Sequence, residues 1–248
     1  VTPAGPGPAP QETAPQETAP QEIAPQGIEA QLALGQMLLE AGEGASAWEA
    51  FAAAARRGDG RAMTMLGRLA EHGWTGRAPD PAAAAHHYRR AAAAGSGWAL
   101  FNLADLHLTG RGVAPDAAGA VALYSRAAEA GVAQALNMLG LCCEEGQGLP
   151  ADSVLARRYY AAGAEAGDCW ASFNLGRLML EDGEPDAALI RFRRAYDTGF
   201  AGFWRRLAEA LAPLDDPRFR ALSGAALSRA EAGEAALRRR RTGEKAAS

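Results

Sequence analysis

Five glycines close five segments of this chain in the same way. That shared register limits what the chain can fold into more than any other feature. Gly58, Gly95, Gly131, Gly167 and Gly199 each follow an aromatic residue by seven positions: Phe51, Tyr88, Tyr124, Tyr160 and Phe192. Each follows an alanine by eleven (Ala47, Ala84, Ala120, Ala156, Ala188) and a small residue by four (Ala54, Ala91, Ala127, Gly163, Ala195). Steps of 4, 3 and 4 keep these positions on one face of a helix. A glycine just past such a face is where a left-handed residue ends a helix.

A second pattern precedes each of these helices: Ala-x-x-x-Leu followed by Gly or Ala, at Ala30–Gly35, Ala62–Gly67, Ala99–Ala104, Ala135–Gly140 and Ala171–Gly176. The small residue after Leu lets a neighbouring helix come close. Between the two helices lie turns such as "TGRAPD", "GRGVAPD" and "GQGLPAD"; the first and fifth are shorter, "GEGAS" and "GEPD". Asp80, Asp116 and Asp152 are placed to cap the second helix, and Pro81 suits its first position. Almost half of the chain is hydrophobic, mostly as Ala, and only 7% is aromatic. That composition suits thin, closely packed helices better than a sheet. The expected fold is all-α: a solenoid of helix–turn–helix units whose apolar faces are buried only by stacking.

The strings "ALFNLADLHLTGRGVAPDAAGAVALYSRAAEAG" and "ALNMLGLCCEEGQGLPADSVLARRYYAAGAEAG" resemble Sel1-like repeats, relatives of the tetratricopeptide repeat. The resemblance spans about residues 28–200. It implies a right-handed superhelix of about five antiparallel pairs, the first helix of each lining a concave groove. It also implies an adaptor or regulator in a membrane-associated or signalling complex. The remaining chain divides into a leader at 1–27, divergent capping helices at 201–237 and a basic tail at 238–248. The leader repeats Gln-Glu-Thr-Ala-Pro at a period of five, which forbids a helix and reads as an extended linker. After Phe200, "FWRRLAEALA" still resembles a first helix, ended by Pro213.

No arrangement for catalysis stands out. His72, His86, His87 and His107 form neither an HExxH motif nor a zinc spacing with cysteine. His107 reads as an interhelical packing residue. The single lysine, Lys245, lies near the C-terminus and leaves no phosphate-binding loop or Ser-x-x-Lys nucleophile. No cofactor or metal is expected. Some exported relatives staple their repeats with disulfides, but Cys142 and Cys169 are offset by about 13 Å along neighbouring helices, too far to pair. Three free, mostly buried thiols are expected, Cys143 included.

The resemblance assigns the groove to four positions of each first helix, about six and three before the Gly anchor, then one and four after. These are Arg61, Thr64, Arg68 and Glu71 in unit two, and Trp98, Phe101, Asp105 and Leu108 in unit three. Unit four gives Gln134, Asn137, Leu141 and Glu144, and unit five Trp170, Phe173, Arg177 and Leu180. Phe101 and Phe173 fit the repeat's own packing. Trp98 and Trp170 occupy a slot that is normally polar or small, with Gln134 and Asn137 between them. Aromatics beside amides suit an extended peptide, although both Trp could instead seal the preceding turn.

The net charge of −4 gives no general case for nucleic acid. The run Arg238, Arg239, Arg240 and Arg241 could touch acidic lipid or an acidic partner, or simply end a solvated helix. No apolar run is long enough to span a membrane. The expected function is a noncatalytic scaffold that binds a protein or peptide. A start at Val1 rather than Met and a leader of linker-like composition favour a periplasmic or envelope setting in a GC-rich bacterium, with the cytoplasm as the alternative. A regulatory subunit of a membrane signalling complex, a cell-wall hydrolase and nucleic acid binding through the Arg tail are the other readings.

Overall fold

The computed structural model describes residues 27–242; the leader as far as residue 26 and the last six residues of the basic tail lie outside them. Twelve α-helices follow in pairs: α1 (Ile28–Glu40) with α2 (Gly44–Arg56), α3 (Gly60–His72) with α4 (Pro81–Ala93), and α5 (Gly97–Thr109) with α6 (Ala117–Glu129). Then come α7 (Ala133–Glu145) with α8 (Ser153–Glu165), α9 (Cys169–Glu181) with α10 (Pro185–Thr198), and the cap, α11 (Ala201–Leu211) with α12 (Pro217–Thr242). Each helix packs on its pair-mate and its chain neighbours. First helices also touch across repeats, α3 on α5, α7 on α9 and α9 on α11. The result is a right-handed α-solenoid.

The recurring residues fix this geometry. Tyr88, Tyr124, Tyr160, Phe51 and Phe192 are among the largest side chains in the interior, each 2% exposed or less. The rings of Phe51, Tyr88, Tyr160 and Phe192 each meet the glycine of their own first helix. A Cβ at Gly67 or Gly140 would run into the ring of Tyr88 or Tyr160, and one at Gly176 would sit 2.9 Å from Phe192. Asp80, Asp116 and Asp152 cap the second helices, accepting from the N–H of Ala83, Gly119 and Leu155 at 2.8–2.9 Å. Asp59, Ser96 and Asp168 cap α3, α5 and α9 in the same way.

Four of the five closing glycines take a positive φ, from 85° at Gly58 to 91° at Gly167. Gly199 does not: its φ of −76° and ψ of 173° are extended. The left-handed ending expected there is corrected by the cap that follows. The indole N–H of Trp204 donates to the Tyr196 carbonyl at 2.9 Å, closing the end of α10 without a glycine turn. Phe203, Leu207, Leu211, Phe219 and Ala226 extend the core into the cap. α12 runs unbroken to Thr242, so the capping segment and the start of the basic run share one helix. The three cysteines are free and buried.

Candidate functional site

The first helices bring six of the sixteen groove positions around one trough. Phe101 on α5, Gln134, Asn137 and Leu141 on α7, and Trp170 and Phe173 on α9 line a space of about 640 Å³, open along one side. Met138, Asp168, Cys169, Asn174, Thr198 and Phe200 complete its wall. Phe200 stands at the corner between α10 and α11 and is 56% exposed. The lining is mainly apolar and carries one acid, Asp168. That carboxylate accepts from the Ala171 N–H at 2.7 Å. Burial pushes it up from the ordinary carboxylate range, against the pull of backbone N–H groups. Cys169 is likewise raised by burial, to about 11, which keeps its thiol protonated near neutral pH.

Trp98, Asp105 and Arg177 lie elsewhere. Trp98 borders a separate space of about 470 Å³ with Arg61, Thr64, Met65, Arg68, Ser96 and Asn102. It is 50% exposed, and its main aromatic contact is Phe101 at 5.8 Å. Asp105 and Arg177 are half-buried and engaged by neighbouring side chains. The Tyr124 hydroxyl donates to Asp105 in a short bond, and burial raises the carboxyl above its ordinary value. Arg177 joins Glu144 at 2.6 Å and Glu181 at 2.7 Å.

This is one instance of a motif not recognised in the sequence. The Tyr160 hydroxyl donates to Glu144 at 2.7 Å, and Tyr88 to Glu71 at 2.8 Å. Arg111, from the next repeat, donates to Glu71 at 2.6 Å. Each repeat whose second helix carries Tyr has an acid on the first helix to receive the hydroxyl. The two repeats with Phe at that position, Phe51 and Phe192, have none in the equivalent places. Glu71 and Glu144, assigned by register to the groove, serve this network.

A second feature missed in the sequence is a buried amide pair. Asn174 Nδ2 donates to Asn137 Oδ1 at 2.8 Å, joining α9 to α7. The pair is hard to foresee because the two positions are out of register: Asn137 aligns with Phe173, and Asn174 with Met138.

At the far end, Arg238 and Arg239 are exposed on the last turns of α12. The side chains of Arg240 and Arg241 lie outside the described residues. Among the described residues no three His, Cys, Asp or Glu side chains gather as metal ligands, and no helix is long and apolar enough to cross a membrane. His86 and His87 place their rings 5.7 Å apart, edge to face. His107 is half-buried, and its Nδ1 is buried without a hydrogen-bond partner among the described residues.

A family model described as the Sel1 repeat matches residues 28–47, 60–96, 99–132 and 133–168. The fifth pair, α9 with α10, lies past the last match except for its capping Asp168. A Sel1 repeat protein from Oxalobacter formigenes superimposes with a TM-score of 0.67 at 26% identity, over 86% of this chain and 88% of that one. The protective antigen c5321 of uropathogenic Escherichia coli, described as displaying an SLR fold, gives a TM-score of 0.59 at 25% identity, over 86% of this chain and 48% of that one. An immunity protein of Pseudomonas aeruginosa shares the fold at 19% identity, with a TM-score of 0.61 over 85% of this chain and 83% of that one. No curated protein matches the chain.

Proposed function

The chain belongs to the Sel1 repeat family, and from that premise we propose that it is a noncatalytic adaptor holding a segment of a partner protein on its concave face. Sel1-repeat proteins are generally protein-interaction scaffolds. The observation that carries the reading is the convergence of Phe101, Gln134, Asn137, Leu141, Trp170 and Phe173 on one open, mainly apolar trough. Such a surface, with a few placed polar groups, is how binding sites are generally built. Trp98 adds an exposed aromatic on the same side of the solenoid.

The test compares immobilised wild type with a Trp98→Ala, Gln134→Arg variant, both checked for equal helicity, against an extract of the native host. A protein retained by wild type and lost from the variant, which rebinds wild type once purified, supports the adaptor. Retention of the same proteins by both variants would remove the groove from consideration. We also propose an envelope-associated setting, supported by the linker-like composition of the leader. Recovery of the protein in the cytoplasmic fraction of intact cells would overturn that.

A further inference from the structure

The N-terminal end of the solenoid leaves open a face that the inner repeats bury. Inside the solenoid, each first helix is packed by the second helix of the repeat before it: α2 on α3, α4 on α5, α6 on α7 and α8 on α9. The approach is close; a Cβ on Gly163 of α8 would sit 2.7 Å from that of Ala171 on α9. Ala62, Ala99, Ala135 and Ala171 are fully buried, and Leu66, Leu103, Leu139 and Leu175 are 5% exposed or less. Two residues past the anchor, Leu69, Leu106 and Cys142 are 7% exposed or less. The same slots of α1 hold Ala30, Leu34 and Met37. There Ala30 is exposed, Leu34 is half-buried and Met37 is 67% exposed.

We propose that Ala30, Leu34, Met37 and Ala41 of α1 form a self-association face that joins two copies of the chain end to end, their α1 helices antiparallel. Steps of 4, 3 and 4 put the four residues on one stripe of the helix. The stripe is small at both ends and large in the middle, so it matches its own reversal. Around a two-fold axis midway between Leu34 and Met37, Leu34 of one copy faces Met37 of the other, and Ala30 faces Ala41. The two acids of α1 stand off the stripe. Glu29 pairs with Arg61 at 2.5 Å, and Glu40 accepts from Gln36 at 3.1 Å.

A second copy fits this face better than the other occupants at hand. The element that covers the face inside the solenoid is an α-helix. The leader has proline at every fifth position from Pro10 to Pro25, and Ile23 is its one large apolar residue after Val1. The far end of the solenoid is polar: α12 exposes Arg220, Ser228 and Glu231. Head-to-tail stacking would set Met37 against such groups and would not close, whereas a face that matches itself closes as a dimer. The contact is about one helix wide on each side, so association should be reversible and depend on concentration. This end face lies apart from the concave face, so each is tested without the other.

The experiment is sedimentation equilibrium of the full chain from about 1 to about 300 µM. The expected result is a reversible doubling of the 25.8 kDa mass and no larger species. Met37→Glu alters an exposed side chain and should leave the helical circular dichroism unchanged. It should weaken association at least about tenfold, because it buries an unpaired charge. Val154→Glu, at a site on α8 that is 70% exposed, should leave association as it is. Ala30→Cys mixed with Ala41→Cys should give a disulfide-linked heterodimer under mild oxidation. A monomer across the whole range, or a dimer indifferent to Met37→Glu, overturns the inference. So does growth beyond the dimer, which would mean head-to-tail stacking, and so does linkage of Ala30→Cys to itself, which would mean parallel helices. A monomer that dimerises only after residues 1–26 are removed would make the leader the occupant and overturn it as well.

Discussion

Trp98 and Trp170 hold the same slot in repeats two apart, six residues before the anchor, yet they live in different surroundings. Trp170 lies edge-on to Phe203 at 4.8 Å and to Phe173 at 6.2 Å, inside the junction with α11. Trp98 has Phe101 at 5.8 Å and is half open to solvent. The repeat supplies the slot, but the helix that stacks next decides whether it is covered. In front of Trp170 the cap brings Phe203; the matching first helix in front of Trp98 begins with Ala133 and Gln134. The C-terminal half of the concave face is therefore aromatic and more covered, although Trp170 and Phe173 also border an open space of about 440 Å³ with Arg206 and Glu209. The N-terminal half is open, rimmed by Arg61 and Arg68.

The largest expected effect breaks this comparison directly. Trp170→Ala should destabilise the protein by about 2–4 kcal/mol, below the full value for a completely enclosed aromatic because the ring is only half-buried. Trp98→Ala should cost less than about 1 kcal/mol, as surface changes do. Urea unfolding followed by helical circular dichroism measures both. Equal losses would mean that the two slots are equally packed and that Phe203 of the cap adds nothing to the packing of Trp170.

The tyrosine networks sharpen the comparison at smaller magnitude. Tyr160→Phe removes one donor from Glu144, which keeps Arg177 at 2.6 Å. Tyr124→Phe removes the hydroxyl from Asp105, which has no ion-pair partner as close among the described residues. The first should cost about 1 kcal/mol and the second about 2, because an acceptor left buried without a donor costs more than an average bond. The reverse order in urea unfolding would show that Glu144, not Asp105, depends on its hydroxyl.

Much of this was legible in the repeat itself. The register of Ala, aromatic and Gly is imposed by helix periodicity and close packing, so helices, caps and core follow from spacing. The Tyr-with-acid, Phe-without-acid correlation was also present in the letters. It was hidden because the acid stands one residue after the anchor at Asp105 and four after it at Glu71 and Glu144. The trough was legible as a set of positions, but the removal of Asp105 and Arg177 from it was not. Nor was the Asn137–Asn174 bond, which joins two different slots and depends on how far α9 is shifted along α7. Register along a helix is written locally; the offset between neighbours is settled by side-chain packing.

The smallest effect separates the two halves by pH. In the N-terminal half, His87 packs edge-on to Trp48 at 5.3 Å, and the Arg77 guanidinium lies 4.8 Å over the rings of Trp48 and Trp74. Burial, then the charges of His86, Arg90 and Arg77, hold His87 below its ordinary 6.5. Its Nδ1 is buried without a partner among the described residues. A histidine depressed in the folded state binds fewer protons there than in the unfolded chain. Its stabilising contribution is complete above the unfolded value and falls as pH drops through 6.5 toward the depressed one. Moving from about pH 7.5 to about pH 6 should therefore lower amide protection in α2 to α4. The α9 to α12 helices contain no histidine and should respond less. His87→Gln should flatten the difference between the halves. An unchanged pH response in that variant would show that another group sets it, and would detach the aromatic cluster from the stability of the N-terminal repeats.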